Sequence, residues 1–245
     1  MLIYGHRGAA GEAPENTIAG ALHAIERGTR YVEIDLQLSG DDQLVVIHDK
    51  TLNRTTGVLG KPSDYSASKL ATLDARADGP LWPSKKNCGV PTLEAFLQAT
   101  KKFKGYQLEV KPDTRANIRR VSYLLNERFK TAASAKKVVV TSSSKYLHRC
   151  LGEIAPHIRR GMVIWRPAEL PTLLELGCVY GALDWSICDH RTVRKLKKAG
   201  VHISVWTVND AQMIDKLHKM NVDSVITDYP SMAIPLVTAL ERQMV

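Results

Sequence analysis

A chain of 245 residues is long enough to bury one large core, and 44% hydrophobic with 24% charged residues is the composition of a globular protein rather than a disordered one. The net charge of +9 favours anionic ligands, but the basic residues are spread over helix-like stretches without interleaved exposed aromatics, so no nucleic-acid partner is expected. Four widely spaced cysteines without a Cys-x-x-Cys pair, no apolar run of ~18 residues and no signal-peptide pattern at Met1–His6 point to a cytoplasmic protein without stable membrane insertion.

The first strand is predicted over 2–6, ending in His6-Arg7, and is followed by a helix over 15–28 that closes at Gly28. The second strand, 31–38, carries Glu33 and Asp35 and turns through Ser39–Asp42 into a return strand, Gln43–His48. With the turn centred on Asp41-Asp42, His48 would lie opposite Asp35, whereas a slip of one residue would turn it to the other face. Residues 51–89, rich in Gly, Pro, Ser and Asp, read as an insertion lying over the C-terminal face of the fold. Strands are then predicted over 106–110, 137–141, 161–165, 180–185, 201–207 and 224–227. Helices are predicted over 92–103, 115–130, 144–154, 168–176, 190–199, 210–220 and 231–243, with Asn209-Asp210 as a cap before the seventh of the eight.

Eight strand–helix alternations in this length predict a single domain, 1–245, folded as a TIM-type (β/α)8 barrel with a small insertion after the second strand. An open doubly wound sheet is the second choice. The glycines at 5, 8 and 11 do not match its Gly-x-Gly-x-x-Gly fingerprint, which lowers its standing.

Barrel chemistry resides at the C-terminal ends of strands, and several ends here carry titratable groups. Residues two apart on a strand share a face, so Glu33 with Asp35, and Glu109 with Lys111, point the same way, and three carboxylates can converge. Buried together they would cost several kcal/mol, which a divalent cation with oxygen ligands, Mg²⁺ or Ca²⁺, would offset. Structural pairing with Arg7 and Lys111 is the competing explanation of the same acids. Two imidazoles, His6 and His48, would supply one group to take a proton from a nucleophile and another to give one to a leaving alkoxide. Arg7 and Lys111 would neutralise phosphate oxygens. His202 and His23 read as satisfied core residues, and His148, His157, His190 and His218 as surface positions.

In order along the chain, His6-Arg7-Gly8, Pro14-Glu15-Asn16-Thr17, Glu33-x-Asp35, His48-Asp49, Glu109-x-Lys111, Trp206-Thr207-Val208-Asn209 and Thr227-Asp228-Tyr229-Pro230 resemble the signature of glycerophosphodiester phosphodiesterases of the short cytosolic bacterial type. The resemblance spans nearly the whole chain. It implies a β/α barrel that hydrolyses glycerophosphodiesters, such as glycerophosphocholine or glycerophosphoethanolamine, to glycerol 3-phosphate and an alcohol. It further implies that Glu33, Asp35 and Glu109 bind the cation, that His6 and His48 form the acid-base pair, and that Arg7 and Lys111 hold phosphate. Glu15 would support the phosphate side and Trp206 would pack beside glycerol. The Thr227–Pro230 block reads equally as a structural turn closing the barrel. One departure stands out: Ala75-Arg76-Ala77-Asp78 replaces a small residue and glycine common in relatives, in a loop bordering the leaving-group pocket. Two other functions compete, lysophospholipid hydrolysis and non-catalytic phosphate binding. The first lacks an amphipathic membrane helix, and the retained histidines and carboxylates argue against the second.

Overall fold

The computed structural model of the protein describes residues 1–83 and 88–242. Residues 84–87 of the expected insertion and residue 243 of the last expected helix lie outside them. In chain order the elements are β1 (Leu2–His6), α1 (Ile18–Glu26), β2 (Tyr31–Leu38), β3 (Leu44–Val46), α2 (Asn53–Thr56), α3 (Ala67–Leu70) and α4 (Leu93–Ala99). There follow β4 (Gly105–Val110), α5 (Arg115–Arg128), α6 (Ala132–Ala135), β5 (Val138–Ser142), α7 (Lys145–Ile154), β6 (Arg159–Ile164) and α8 (Leu170–Glu175). The chain ends with β7 (Tyr180–Asp184), α9 (His190–Lys198), β8 (His202–Trp206), α10 (Ala211–Lys219), β9 (Ser224–Thr227) and α11 (Pro230–Arg242).

Strands β1, β2 and β4 to β9 form a closed parallel barrel: β1 pairs with β2 on one side and with β9 on the other, so no edge remains in the ring. The outward faces bury apolar side chains against the helices. One cluster, built on Ile34, Leu36, Phe96, Phe103, Leu108 and Ile118, lies under the first half of the ring, and a second, built on Ile164, Leu173, Ile203, Val205, Ile214 and Leu217, under the other half. Side-chain caps begin the outer helices: Thr17, Thr114, Ser144, Asp189 and Asp210 each accept an amide hydrogen three residues on, a bond worth about 1 kcal/mol. The helix expected from residue 15 begins at Ile18, which leaves Glu15 and Asn16 in the preceding loop.

The expected hairpin forms, but one residue out of the expected register. Leu36 pairs with Val46 and Leu38 with Leu44, so Asp35 lies level with Ile47, whose amide donates to the Asp35 carbonyl. The loop has three residues, closed by Ser39 and Gln43, with Asp42 in the left-handed region at φ 57°, the usual geometry of that loop length. Pairing ends at Val46, and His48 lies on the chain beyond it. The insertion forms its own small core, in which Leu52, Leu70, Leu73 and Val90 pack on Val45 and Ile47 behind the hairpin.

At the N-terminal end of the barrel interior, His202 stacks on Tyr180 at 3.9 Å between ring centroids and hydrogen-bonds to Ser224 Oγ at 2.9 Å. It is the satisfied interior residue the sequence suggested. His148 is not at the surface as expected: it is fully buried beside Leu147, Cys150 and Leu151 on the barrel-facing stripe of α7, and its Nε2–H donates to the Ser142 carbonyl at 3.0 Å. Burial, with Lys197 and Arg159 nearby and against the pull of Asp223, lowers the His202 pKa to about 4. A group kept neutral in this way adds stability that is complete above its unfolded pKa, near 6.5, and is lost as pH falls toward 4. The melting temperature of the wild type is therefore expected to fall more steeply between pH 6.5 and 4 than that of His202→Gln, and parallel pH profiles of the two would refute this.

Candidate active site

Parallel registration assembles the site. His6 on β1 is level with Glu33 on β2, and Asp35 on β2 is level with Glu109 on β4, all at the C-terminal mouth. Period-two alternation turns these side chains inward, and His6, Glu33, Gln107, Glu109 and Trp206 line a small cavity there. Glu33, Asp35 and Glu109 each present an oxygen within 4.8 Å of the others. Glu33 and Asp35 are only 2% and 1% exposed.

The Lys111 ammonium bridges Asp35 Oδ1 at 2.7 Å and Glu109 Oε1 at 2.6 Å. Arg7 Nε lies 3.2 Å from Asp35 Oδ2, and the Arg7 amide donates to Glu33 Oε2 at 3.3 Å. Burial alone would push Asp35 up, but Lys111, Arg7 and His48 outweigh it and hold its carboxyl well below the usual range. Glu33 goes the other way: burial, then the charges of Asp35 and Glu109, raise its pKa well above normal. Its Oε1 is buried without a hydrogen-bond partner. Three carboxylates against Arg7 and Lys111 thus leave an uncompensated negative charge, centred on Glu33, among oxygen donors. That donor set and that orphaned oxygen fit a hard divalent cation.

Each histidine has its Nδ1 engaged by a carboxylate. His6 Nδ1–H donates to Asp228 Oδ1 at 2.6 Å, leaving Nε2 turned inward, 3.9 Å from Glu33 Oε2. Asp228 is held in turn by Asn209, whose Nδ2 donates to Oδ2 at 2.6 Å and whose Oδ1 accepts from the Asp228 amide. His48, 34% exposed at the rim, donates from Nδ1 to Asp49 Oδ1 at 2.7 Å. Gln37 Nε2 reaches the carbonyls of Ile47, His48 and Asp49 and pins that strap over the end of β2. Arg54 from the insertion clamps both oxygens of Asp49 and both of Glu15, and its bonds, first among the causes, lower the Asp49 pKa to about 2. Glu15 also accepts from Arg7 Nη1 at 3.1 Å, so one ionic chain runs from Arg7 through Glu15, Arg54 and Asp49 to His48.

Local backbone makes room for this. Arg7 and Asn16, both at the site, adopt left-handed φ of 49° and 54°, uncommon for residues with side chains. Gly8 has φ 96°, and a Cβ there would come within 3.0 Å of the backbone at Gly20 and Ala21, so the turn after His6-Arg7 requires glycine. Asn16 Nδ2 donates to Asp35 Oδ2 at 2.8 Å while its Oδ1 accepts from the Asp35 amide, a reciprocal pair that orients the carboxylate. Trp206 is anchored by Nε1–H to the Ala182 carbonyl at 3.0 Å and packs edge-to-face with Trp165.

All nine residues singled out from the sequence thus gather at the mouth. Asp228, Asn16, Asp49 and Arg54 were quoted or passed over there without an assigned role. Asp228 was findable by the same strand-end rule, because it follows β9. The Ala75–Asp78 departure brings Asp78 Oδ2 within 2.8 Å of Arg54 Nη1, adding a third carboxylate to that clamp.

Residues 6–232 match the model of the glycerophosphoryl diester phosphodiesterase family. The chain is 31% identical over 242 residues to YhdW of Bacillus subtilis (strain 168), covering 96% of this chain and 97% of that one. It is 30% identical, with the same coverage, to the glycerophosphodiester phosphodiesterase of Caldanaerobacter subterraneus subsp. tengcongensis. Its fold is similar to that of an Oleispira antarctica phosphodiesterase solved in complex with the product sn-glycerol-3-phosphate, with a TM-score of 0.83, 26% identity and 97% of each chain covered. A family match over nearly the whole length, together with relatives of this identity and a barrel of this form, means that the protein is an enzyme belonging to the glycerophosphoryl diester phosphodiesterase family.

Proposed function

We propose that the protein hydrolyses water-soluble glycerophosphodiesters, such as glycerophosphocholine and glycerophosphoethanolamine, to glycerol 3-phosphate and the free alcohol, with Mg²⁺ or Ca²⁺ held by Glu33, Asp35 and Glu109. The observation that carries this reading is the pairing of two carboxylate-anchored histidines, His6 and His48, around one ring of oxygen donors, Glu33 and Asp35 buried and Glu109 half-buried. A bound divalent cation supplies charge stabilisation for the phosphoryl oxygens.

The rest is done by the chain's own groups. Arg7 and Lys111 hold the phosphate oxygens, Glu15 fixes the Arg7 guanidinium, and Trp206 packs on the glycerol carbons. Because Asp228 and Asp49 occupy the Nδ1 positions, each histidine works through Nε2. One imidazole takes a proton from the nucleophile, either water or a glycerol hydroxyl, as its oxygen bonds to phosphorus, the phosphorus–oxygen bond to the alcohol breaks, and the other imidazolium gives its proton to the departing alkoxide. Where the glycerol hydroxyl attacks, water then opens the cyclic phosphate to glycerol 3-phosphate. The buried, free thiols of Cys150, Cys178 and Cys188 fit a reducing cytoplasm, and among the described residues no helix is long and apolar enough to cross a membrane. The direct test is incubation with glycerophosphocholine and glycerophosphoethanolamine, with and without added Mg²⁺ or Ca²⁺, following glycerol 3-phosphate. Metal-dependent release is expected; no product from either diester would remove the assignment.

A further inference from the structure

A groove of about 610 Å³, walled by Leu36, Leu38, Val110 and Ile118 on the outward side of β2 and β4 and by Lys61 of the insertion, meets the site at Lys111. Gln37, the residue that pins the His48 strap, lies in its wall, and Lys111 lies at its border with the carboxylate ring. Lys50, two residues after His48, and Lys61, from the insertion, line it and are exposed; neither ammonium has an ion-pair partner among the described residues. The single carboxylate in the lining, Asp113, is already engaged, Oδ1 by the Thr114 amide at 2.6 Å and Oδ2 by Asn117 Nδ2 at 2.8 Å. Those donors are neutral and leave the Asp113 charge in place, so Lys50 and Lys61 against Asp113 give the groove a surplus of positive charge beside the histidine strap. Resting on the proposed function, with glycerol against Trp206, the alcohol half of the diester extends toward this groove.

We propose that the groove is the subsite for the alcohol and that it selects alcohols carrying a second anionic group, a phosphate monoester or a carboxylate. Lys50 and Lys61 are the specificity-determining residues, since they can pair with such a group without leaving an existing partner. Exposed ion pairs are individually weak and screened by salt, so the combined preference should be roughly three- to tenfold at low ionic strength.

The test compares sn-glycero-3-phosphoinositol with its 4-phosphate, a matched pair differing by one phosphate monoester. The wild type should show the higher kcat/KM for the 4-phosphate, through a lower KM, and raised salt should shrink the difference. Lys50→Ala/Lys61→Ala should bring the ratio of the two substrates close to one, and the charge reversal Lys61→Glu should push it below the wild-type value. Equal efficiencies in the wild type, an unchanged ratio in the double variant, or an equal loss on both substrates would overturn the inference while leaving the hydrolase reading intact. Failure of the wild type to cleave any glycerophosphodiester would instead remove the reading on which the inference rests, and the inference with it.

Discussion

His6→Ala and His48→Ala are each expected to lower kcat by about 10²- to 10⁴-fold, the usual range for loss of a positioned proton donor or acceptor. Neither imidazole is needed for the oxygen-donor ring, so both variants should still bind the cation, measured by titration calorimetry or by a cation-dependent rise in melting temperature. Asp228→Asn should also lower kcat, by a smaller factor and with KM little changed. Asp228 accepts from His6 Nδ1 and so fixes the tautomer and the ring plane, and an amide in its place can present a donor to that nitrogen and favour the wrong tautomer. Near-native turnover in His6→Ala or His48→Ala would mean that the proton-transfer role belongs elsewhere. Equal damage to kcat and to melting temperature in Asp228→Asn would mean that this carboxylate only supports the barrel rim.

Chelation of divalent cations should take activity to background, with recovery on adding Mg²⁺ or Ca²⁺. The cation should also stabilise the fold, because Glu33 is buried with an unpartnered oxygen and is destabilised by burial and by the charges of Asp35 and Glu109. At a concentration ~100 times its dissociation constant, a ligand that binds only the folded state adds about 2.7 kcal/mol. In a domain of this size that is a rise in melting temperature of roughly 5–11 °C. Glu33→Gln provides the cross-check: removing one of three crowded carboxylates should raise the melting temperature of the cation-free protein while abolishing both cation-induced stabilisation and turnover. A wild type whose melting temperature and activity ignore chelator and cation alike would rule out the cation site.

The network around Arg54 bears on how the insertion relates to catalysis. Arg54 joins Asp49, Glu15 and Asp78, so it ties the histidine strap, the phosphate-side loop and the insertion into one rim. Its burial is partial, and each exposed ion pair contributes little. What the bidentate geometry adds is orientation of Asp49 toward His48 and of Glu15 toward Arg7.

Much of this was determined by the sequence alone. The alternation of β-branched runs with amphipathic segments specifies the barrel, and period-two spacing puts Glu33 with Asp35, and Glu109 with Lys111, on a common face of their strands, because side-chain direction along a strand is a local property. That these faces turn inward and stand level is set by closure and parallel register. His6 and Lys111 followed from strand ends in the same way. Only the tertiary structure could decide contacts between distant segments. Closure of the ring sets β9 against β1 and so puts Asp228 beside His6, 222 residues away in the chain, turning an apparent closing turn into the anchor of an imidazole. The route of His48 depended on a three-residue loop where a two-residue turn was read from Asp41-Asp42, and one residue of loop length shifts every cross-strand pair. His48 still reaches the site, through a strap held by Gln37 rather than through the ladder. His148, polar by composition, is buried because helix phase turns it toward the barrel and the Ser142 carbonyl accepts its ring N–H, and neither is visible until the helix is docked.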